Sequence, residues 1–120
     1  MSQVPELPNV DDVTPDLVFE VMPSQLVPER AAGVNATYRF DLSGEQGGTW
    51  WVRVADGRAE SGRGEVENAN VTLSADARDY VKIAIGELDP VSAFMGGRLR
   101  IKGDMGLAMK LQTLFRRPQR

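Results

Sequence analysis

Apolar and polar residues alternate through the middle of the chain. In the segments ATYRFDL and TWWVRV every second residue is apolar, which is the pattern of strands with one buried face. The pair Asp56-Gly57 is typical of a two-residue hairpin and returns the chain as a third strand, from Arg58 to about Gly64. The segments NVTLS and RLRIK continue the alternation further along. These patterns predict about five strands, of which the first three form a meander.

The third strand is unusual because its side chains are small, with Ala59, Ser61, Gly62 and Gly64 in close succession. Glycine in a strand often marks a bulge or a place where other groups approach the backbone closely. The sequence therefore allows two interpretations, a bulge in this strand or room for an element that lies against the sheet.

Helices are predicted where capping residues precede apolar residues at helical spacing. Thr14 and Pro15 begin a first helix that ends before Pro23, and a short turn follows from about residue 28 to 32. Ser74 is predicted to cap a helix that runs from Ala75 to about Gly86. The pair DP at residues 89–90 opens a further short helix, and GD at residues 103–104 begins the last one.

Together these elements predict an α+β fold, in which a mixed, mostly antiparallel five-stranded sheet carries helices mainly on one face. The 120 residues and 42% hydrophobic content suit a single domain with a packed core. We expect residues 1–13 to form a flexible lead-in, residues 14–117 to form the domain, and residues 118–120 to form a tail.

The last helix, GDMGLAMKLQTLF, carries more apolar surface than one buried face requires. On a helical projection Leu107, Leu111 and Leu114 lie together, and we expect them to anchor the helix. Met105 and Met109 extend the apolar arc to about twice the width of the stripe on an ordinary surface helix. The methionines either fill gaps in a packed core or border a cavity for a flexible apolar ligand, because methionine adapts to variable shapes.

Composition narrows the chemistry that the chain offers. There is no histidine and no cysteine, which excludes thiolate metal sites and the nucleophile arrangements that depend on either residue. The carboxylates show no spacing that indicates an acid and base pair. We therefore expect no catalysis, no metal and no cofactor. The acidic, proline-containing start differs from a signal peptide, and we expect a cytoplasmic protein.

Charge is distributed unevenly around a net charge of −3. Half of the 14 basic residues follow Gly96, accompanied by a single carboxylate, Asp104. This basic end is either a solvated face or a contact surface for anionic headgroups or acyl-CoA phosphates. The overall acidity argues against nucleic acid as a partner. The candidate headgroup or membrane contacts are Arg98, Arg100, Lys102, Arg116 and Arg117.

Four blocks of the chain, NATYRFDLSGEQGGTWWVRVADGR, NANVTLSA, GELDPVSAFMGGRLRIKG and GDMGLAMKLQTLF, closely resemble the sterol carrier protein 2 family in their order and spacing. The resemblance extends from about Leu17 to Phe115. It implies a five-stranded sheet beneath helices, with a hydrophobic tunnel between the two layers. It also implies binding and transfer of fatty acids, fatty acyl-CoA or sterols, without catalysis.

The resemblance and the apolar faces together predict which side chains line the tunnel. These residues are Phe40, Trp50, Val52, Leu73, Tyr80, Ile83, Phe94, Leu99, Ile101, Met105, Met109 and Gln112. The main hypothesis is an intracellular lipid carrier. The alternative is a non-catalytic accessory or interaction module of the same fold whose cavity is filled by side chains. The ligand and the choice between monomer and homodimer stay open at this point.

Overall fold

A five-stranded sheet with the order β3-β2-β1-β4-β5 organises the computed structural model, which describes residues 13–115. The strands are β1 (Ala36–Ser43), β2 (Gly48–Ala55), β3 (Arg58–Arg63), β4 (Val71–Asp76) and β5 (Leu99–Gly103). β1 pairs with β4 in parallel, and the three other pairings are antiparallel. The predicted mixed, mostly antiparallel sheet is confirmed.

The hairpin between β2 and β3 has the predicted turn, with positive φ angles of 54° at Asp56 and 72° at Gly57. β3 pairs with β2 in unbroken register, so the structure contains no bulge between residues 58 and 63. A Cβ on Gly62 would lie 2.6 Å from the ring of Trp51. On the opposite face, the Ser61 hydroxyl donates a hydrogen bond to the Phe19 carbonyl oxygen. The small residues of β3 therefore admit groups that lie against both faces.

The helices are α1 (Pro15–Val21), α2 (Pro28–Ala31), α3 (Ala77–Ala84), α4 (Pro90–Met95) and α5 (Met105–Leu114), with a 3₁₀ turn at Met22–Gln25. Two predicted caps are confirmed, because the side chains of Thr14 and Asp89 accept hydrogen bonds from backbone amides of α1 and α4. The last helix begins where it was predicted, and the Asp104 side chain caps it in the same way. The helices pack mainly on the face of the sheet that buries the apolar side chains of β1 and β2.

The predicted start of α3 at Ser74 is wrong. Ser74 and Ala75 stay in β4, where they pair with β1 on one side and with β5 on the other. Asp76 is the N-cap residue instead, and its carboxylate accepts a hydrogen bond of 2.9 Å from the backbone amide of Arg78. Pairing on both sides of a central strand outweighs a local capping preference, so the helix begins two residues later than the sequence predicts.

Four aromatic rings form the centre of the core. Phe19 stacks on Trp50 at 5.3 Å and on Tyr80 at 5.4 Å between ring centroids. Phe40 is tilted against Phe19 and Tyr80. The Trp50 indole N–H also donates a hydrogen bond of 2.9 Å to the Asp16 carboxylate, which fixes the start of α1 to β2. The core therefore joins α1 and α3 to the middle of the sheet.

The domain was predicted to begin at residue 14 and to end at residue 117. Val13, which the sequence analysis assigned to the flexible lead-in, is buried with 6% of its surface exposed and belongs to the core. Residues 1–12 and 116–120, which contain the rest of the lead-in and the tail, lie outside the described residues.

Candidate ligand-binding cavity

An apolar cavity of about 640 Å³ lies between the helices and the β4-β5 edge of the sheet. Pockets of 300–1,000 Å³ are typical of sites that bind small molecules. Apart from Gln25 and Tyr80, the lining side chains are hydrophobic. The lining consists of Val13, Leu17, Val18, Val21, Met22, Gln25, Leu73, Tyr80, Ile83, Ala84, Ile85, Pro90, Val91, Phe94, Leu99, Ile101, Met105, Ala108, Met109, Leu111 and Phe115.

Four helices and two strands supply this wall, because each has apolar residues at the spacing that places them on one face. Leu17 and Val21 are four residues apart on α1 and lie on one side of that helix. Leu99 and Ile101 are two residues apart on β5 and share the inner face of the sheet. α5 contributes both methionines, so its wide apolar arc borders the cavity.

The cavity is open to solvent. Seven large hydrophobic side chains are exposed among residues 13–115, and all of them except Met95 line the cavity. Met105 and Met109 are 44% and 53% exposed, which excludes the interpretation that they fill gaps in a packed core. The structure therefore shows an open apolar cavity in the place where the resemblance implies an enclosed tunnel.

Most of the predicted lining residues meet at this cavity. Those found on its wall are Leu73, Tyr80, Ile83, Phe94, Leu99, Ile101, Met105 and Met109. Phe40, Trp50 and Val52 lie elsewhere, in the closed core, because the aromatic ring of Phe19 packs over that part of the sheet. The side chain of Gln112 lies outside the described residues.

The contribution of α1 to the cavity wall was not predicted. Its signal was the run LVFEVM, in which Leu17 and Val21 add apolar surface beyond the buried pair of Val18 and Phe19. The predicted division within α5 also needs correction. Leu111 is only half-buried and lines the cavity, whereas Leu114 is fully buried and anchors the helix.

The two polar lining residues lie at different depths. Gln25 is exposed at the rim, where its side-chain amide donates a long hydrogen bond of 3.5 Å to the Ser24 hydroxyl. Tyr80 is only 7% exposed, and its burial raises the pKa of its hydroxyl well above the ordinary tyrosine value. The cavity thus offers one exposed amide and one buried, protonated hydroxyl.

The predicted basic contacts do not converge on the cavity. Arg98 is exposed before β5 begins, and Arg100 and Lys102 point from β5 toward the outer face of the sheet. There they border a shallow polar pocket with Thr72, Ser74 and the Arg39–Asp41 ion pair, whose charged atoms are 2.9 Å apart. Arg116 and Arg117 lie outside the described residues. A role for these cations in membrane contact stays a prediction.

Residues 13–115 contain neither a metal site nor a membrane-spanning helix. No group of three or more acidic residues there is placed to hold a metal ion. None of the helices in that range has the length and apolar character needed to cross a bilayer.

Comparison with known proteins identifies the family. A model of the SCP-2 sterol transfer family matches residues 17–116. The chain belongs to this family. Membership makes it a lipid-binding domain, of a class that is generally non-catalytic, and the resemblance noted in the sequence is confirmed.

Hydroxysteroid dehydrogenase-like protein 2 is among the curated relatives. The mouse protein (Mus musculus) is 38% identical over 115 residues, which cover 95% of this chain and 23% of the relative. The Xenopus tropicalis protein is 39% identical over 98 residues, which cover 81% of this chain and 24% of the relative. The chain thus spans about a quarter of the length of these relatives.

Solved structures share the fold. The solution structure of the sterol carrier protein domain 2 of Helicoverpa armigera superposes with a TM-score of 0.65 at 29% identity, covering 82% of this chain and 79% of that one. The sec-alkylsulfatase Pisa1 from Pseudomonas sp. superposes with a TM-score of 0.75 at 21% identity, covering 88% of this chain and 17% of that one. The second likeness concerns the fold only.

Proposed function

We propose that this chain binds a lipid with a long apolar portion in the open cavity and transfers it between membranes or to an enzyme. The observation that carries the proposal is the unfilled cavity of about 640 Å³, whose wall is apolar and partly exposed. Contiguous exposed apolar surface is costly for a soluble domain, and its retention at one site favours a binding role.

The size of the apolar wall accounts for useful affinity without strong polar contacts. Burying a sixteen-carbon chain contributes roughly 0.8 kcal/mol per methylene, or about 12 kcal/mol in total. Association and ordering cost about 4 to 15 kcal/mol, which offsets much of this gain. The small difference between this gain and this cost favours reversible binding, as a transfer protein requires. Because the apolar chain provides the affinity, the headgroup needs few specific contacts.

The alternative hypothesis, an accessory module with a filled cavity, is less well supported because the cavity is not filled. Fatty acids, fatty acyl-CoA and sterol-like molecules all remain candidate ligands. The curated relatives named hydroxysteroid dehydrogenase-like, of which this chain matches about a quarter, favour a steroid-like molecule as one of them. Transfer to such an enzyme is part of the proposal.

Two methionines provide a matched test of the site. Met109 lines the cavity, whereas Met95 is 79% exposed and does not. Met109→Glu places a carboxylate against the apolar ligand, so we expect binding of a fluorescent fatty acid to weaken at least tenfold while the fold survives. Met95→Glu adds the same charge and is expected to bind like the wild type. Equal binding by both variants would place the ligand elsewhere.

The natural ligand can be identified by native mass spectrometry of the freshly purified protein, followed by organic extraction. We expect a lipid that leaves on extraction and rebinds to the delipidated protein. If no lipid copurifies and the delipidated protein binds no fatty acid, acyl-CoA or sterol saturably, the alternative module is favoured instead.

A further inference from the structure

The side chain of Tyr80 is held rigidly at the boundary between the aromatic core and the cavity. Its ring stacks on Phe19 with an interplanar angle of 3° and is tilted by 60° against Phe40. Asp76 caps the helix that carries it, so the backbone is also fixed. With the ring immobilised on two sides, the hydroxyl has a defined position, which is a requirement for selective recognition.

The Tyr80 hydroxyl has no hydrogen-bond partner within the described part of the chain. Tyr38 is the only other tyrosine, and its hydroxyl donates a hydrogen bond of 2.9 Å to the Leu107 carbonyl oxygen. Every fully buried side-chain nitrogen or oxygen within residues 13–115 is paired, so the unpaired Tyr80 hydroxyl must retain access to open space. Tyr80 is one of the residues that line the cavity, and we infer that the cavity is the space its hydroxyl reaches.

We propose that the Tyr80 hydroxyl donates a hydrogen bond to an oxygen of the bound ligand, and that the cavity thereby prefers apolar molecules with a neutral oxygen in their buried part. This inference rests on the proposed function, because it requires a ligand in the cavity. The chemical class comprises long apolar molecules that carry a hydroxyl or ketone at a distance from any charged end.

The surroundings of Tyr80 define which oxygen it accepts. The remaining deep lining is hydrophobic, so an ionised carboxylate placed beside Tyr80 would lose its hydration without gaining a counter-charge. A charged end is better placed at the exposed rim, near Gln25 and solvent. A tyrosine hydroxyl is protonated at neutral pH, and burial raises the pKa of Tyr80 further from that range, so the hydroxyl can donate to a neutral oxygen.

The test compares ligands that differ by one oxygen. Hexadecanoate and a series of hydroxyhexadecanoates, with the hydroxyl moved along the chain, are titrated against delipidated wild type and Tyr80→Phe. We expect at least one hydroxylated member to bind wild type more tightly than Tyr80→Phe by about 2- to 10-fold, the range of a single net hydrogen bond. Hexadecanoate, which has no hydroxyl along its chain, is expected to lose less affinity on Tyr80→Phe than that hydroxylated member does.

Tyr38→Phe is the matched control, because it also removes a buried tyrosine hydroxyl, but one that is already paired and lies away from the cavity wall. It should lower the melting temperature and leave the ligand preference unchanged. Tyr80→Phe should melt like the wild type, since no hydrogen bond within the protein is lost.

The outcomes distinguish a failure of the role inferred for the Tyr80 hydroxyl from a failure of lipid binding itself. If hexadecanoate binds but Tyr80→Phe weakens every ligand by the same factor, or weakens none, then the hydroxyl has no role in selection and this inference is wrong while lipid binding stands. If no member of the series binds either protein, this inference is overturned, and the proposed function is overturned with it when acyl-CoA and sterols also fail to bind.

Discussion

The rings of Tyr80 and Phe19 stack with their centroids 5.4 Å apart, and this pair separates a closed aromatic core from an open apolar cavity. On one side the packed side chains of Trp50 and Phe40 stabilise the fold. On the other side, exposed hydrophobic residues of α1, α4 and α5 border space that the protein does not fill. The closed part of this hydrophobic layer therefore stabilises the fold, and the open part is the proposed binding site.

The pH dependence of stability follows from the two tyrosines. Burial, with a smaller effect of Asp104, raises the pKa of Tyr38 to about 12, and burial raises the pKa of Tyr80 further. In the unfolded chain both titrate near about pH 10. Because the folded pKa values are the higher ones, their contribution to the free energy of unfolding is complete below about pH 10 and is lost as pH rises toward 12 and beyond.

Near-ultraviolet absorbance of tyrosinate checks this directly. We expect the folded protein to form little tyrosinate at a pH where the protein in denaturant is half-ionised. Tyr38→Phe and Tyr80→Phe should each remove part of the loss of stability above about pH 10. Ionisation of both tyrosines near pH 10 in the folded protein would show that these hydroxyls are solvated.

The attachment of α1 gives a prediction for the helix that forms one wall of the cavity. The Asp16 carboxylate accepts the hydrogen bond of the buried Trp50 indole and also pairs with Arg63 over 3.0 Å. Asp16→Ala should destabilise the fold by about 1 to 3 kcal/mol, because the indole N–H loses its partner. Since α1 carries Leu17 and Val21, the same change should weaken lipid binding.

Two variants control this experiment. Asp16→Asn retains an oxygen that can accept the indole hydrogen bond and should recover part of the stability. Glu20→Ala removes an exposed carboxylate from the same helix and should melt within a degree or two of the wild type. Thermal melts in which Glu20→Ala loses as much stability as Asp16→Ala would show that only the helix charge matters.

The strands were predictable because alternation reports directly on a sheet with one buried face, as ATYRFDL and TWWVRV illustrate. The start of α3 was not, because Ser74 is a good cap locally and only pairing with β1 and β5 keeps it in the sheet. The excess apolar arc of α5 indicated a cavity only as one of two alternatives, the other being methionines that fill gaps in a packed core. The opposite wall of the cavity was not predictable, because sequence does not show that Phe19 covers Phe40 and Trp50 while Leu17 stays exposed.

The basic edge strand gives a prediction about transfer. Arg100 and Lys102 face away from the cavity, so replacing both with glutamate should leave lipid binding in solution unchanged. Each cation near an anionic membrane contributes about 1 kcal/mol, and salt screens this attraction. We therefore expect the double variant to transfer lipid more slowly from anionic vesicles at low salt, with no difference from neutral vesicles.

Arg53→Glu is the control for this effect, because Arg53 is exposed on β2, away from β5. It should reduce transfer less than the double variant. Equal rates from neutral and anionic vesicles for the wild type would instead make the basic edge a solvated face. The parallel variant Arg116→Glu with Arg117→Glu tests the other half of the predicted basic contact.

A methyl NMR titration of the delipidated protein with hexadecanoate shows directly whether the open cavity is the lipid site. We predict that methyl signals of Leu17, Val91 and Ile101, from three separate elements of the cavity wall, shift together and saturate at one ligand per chain. Val52 and Val54, which lie in the closed core, should shift far less. An absence of saturable shifts, or shifts confined to residues outside the cavity wall, would show that this cavity does not bind the lipid.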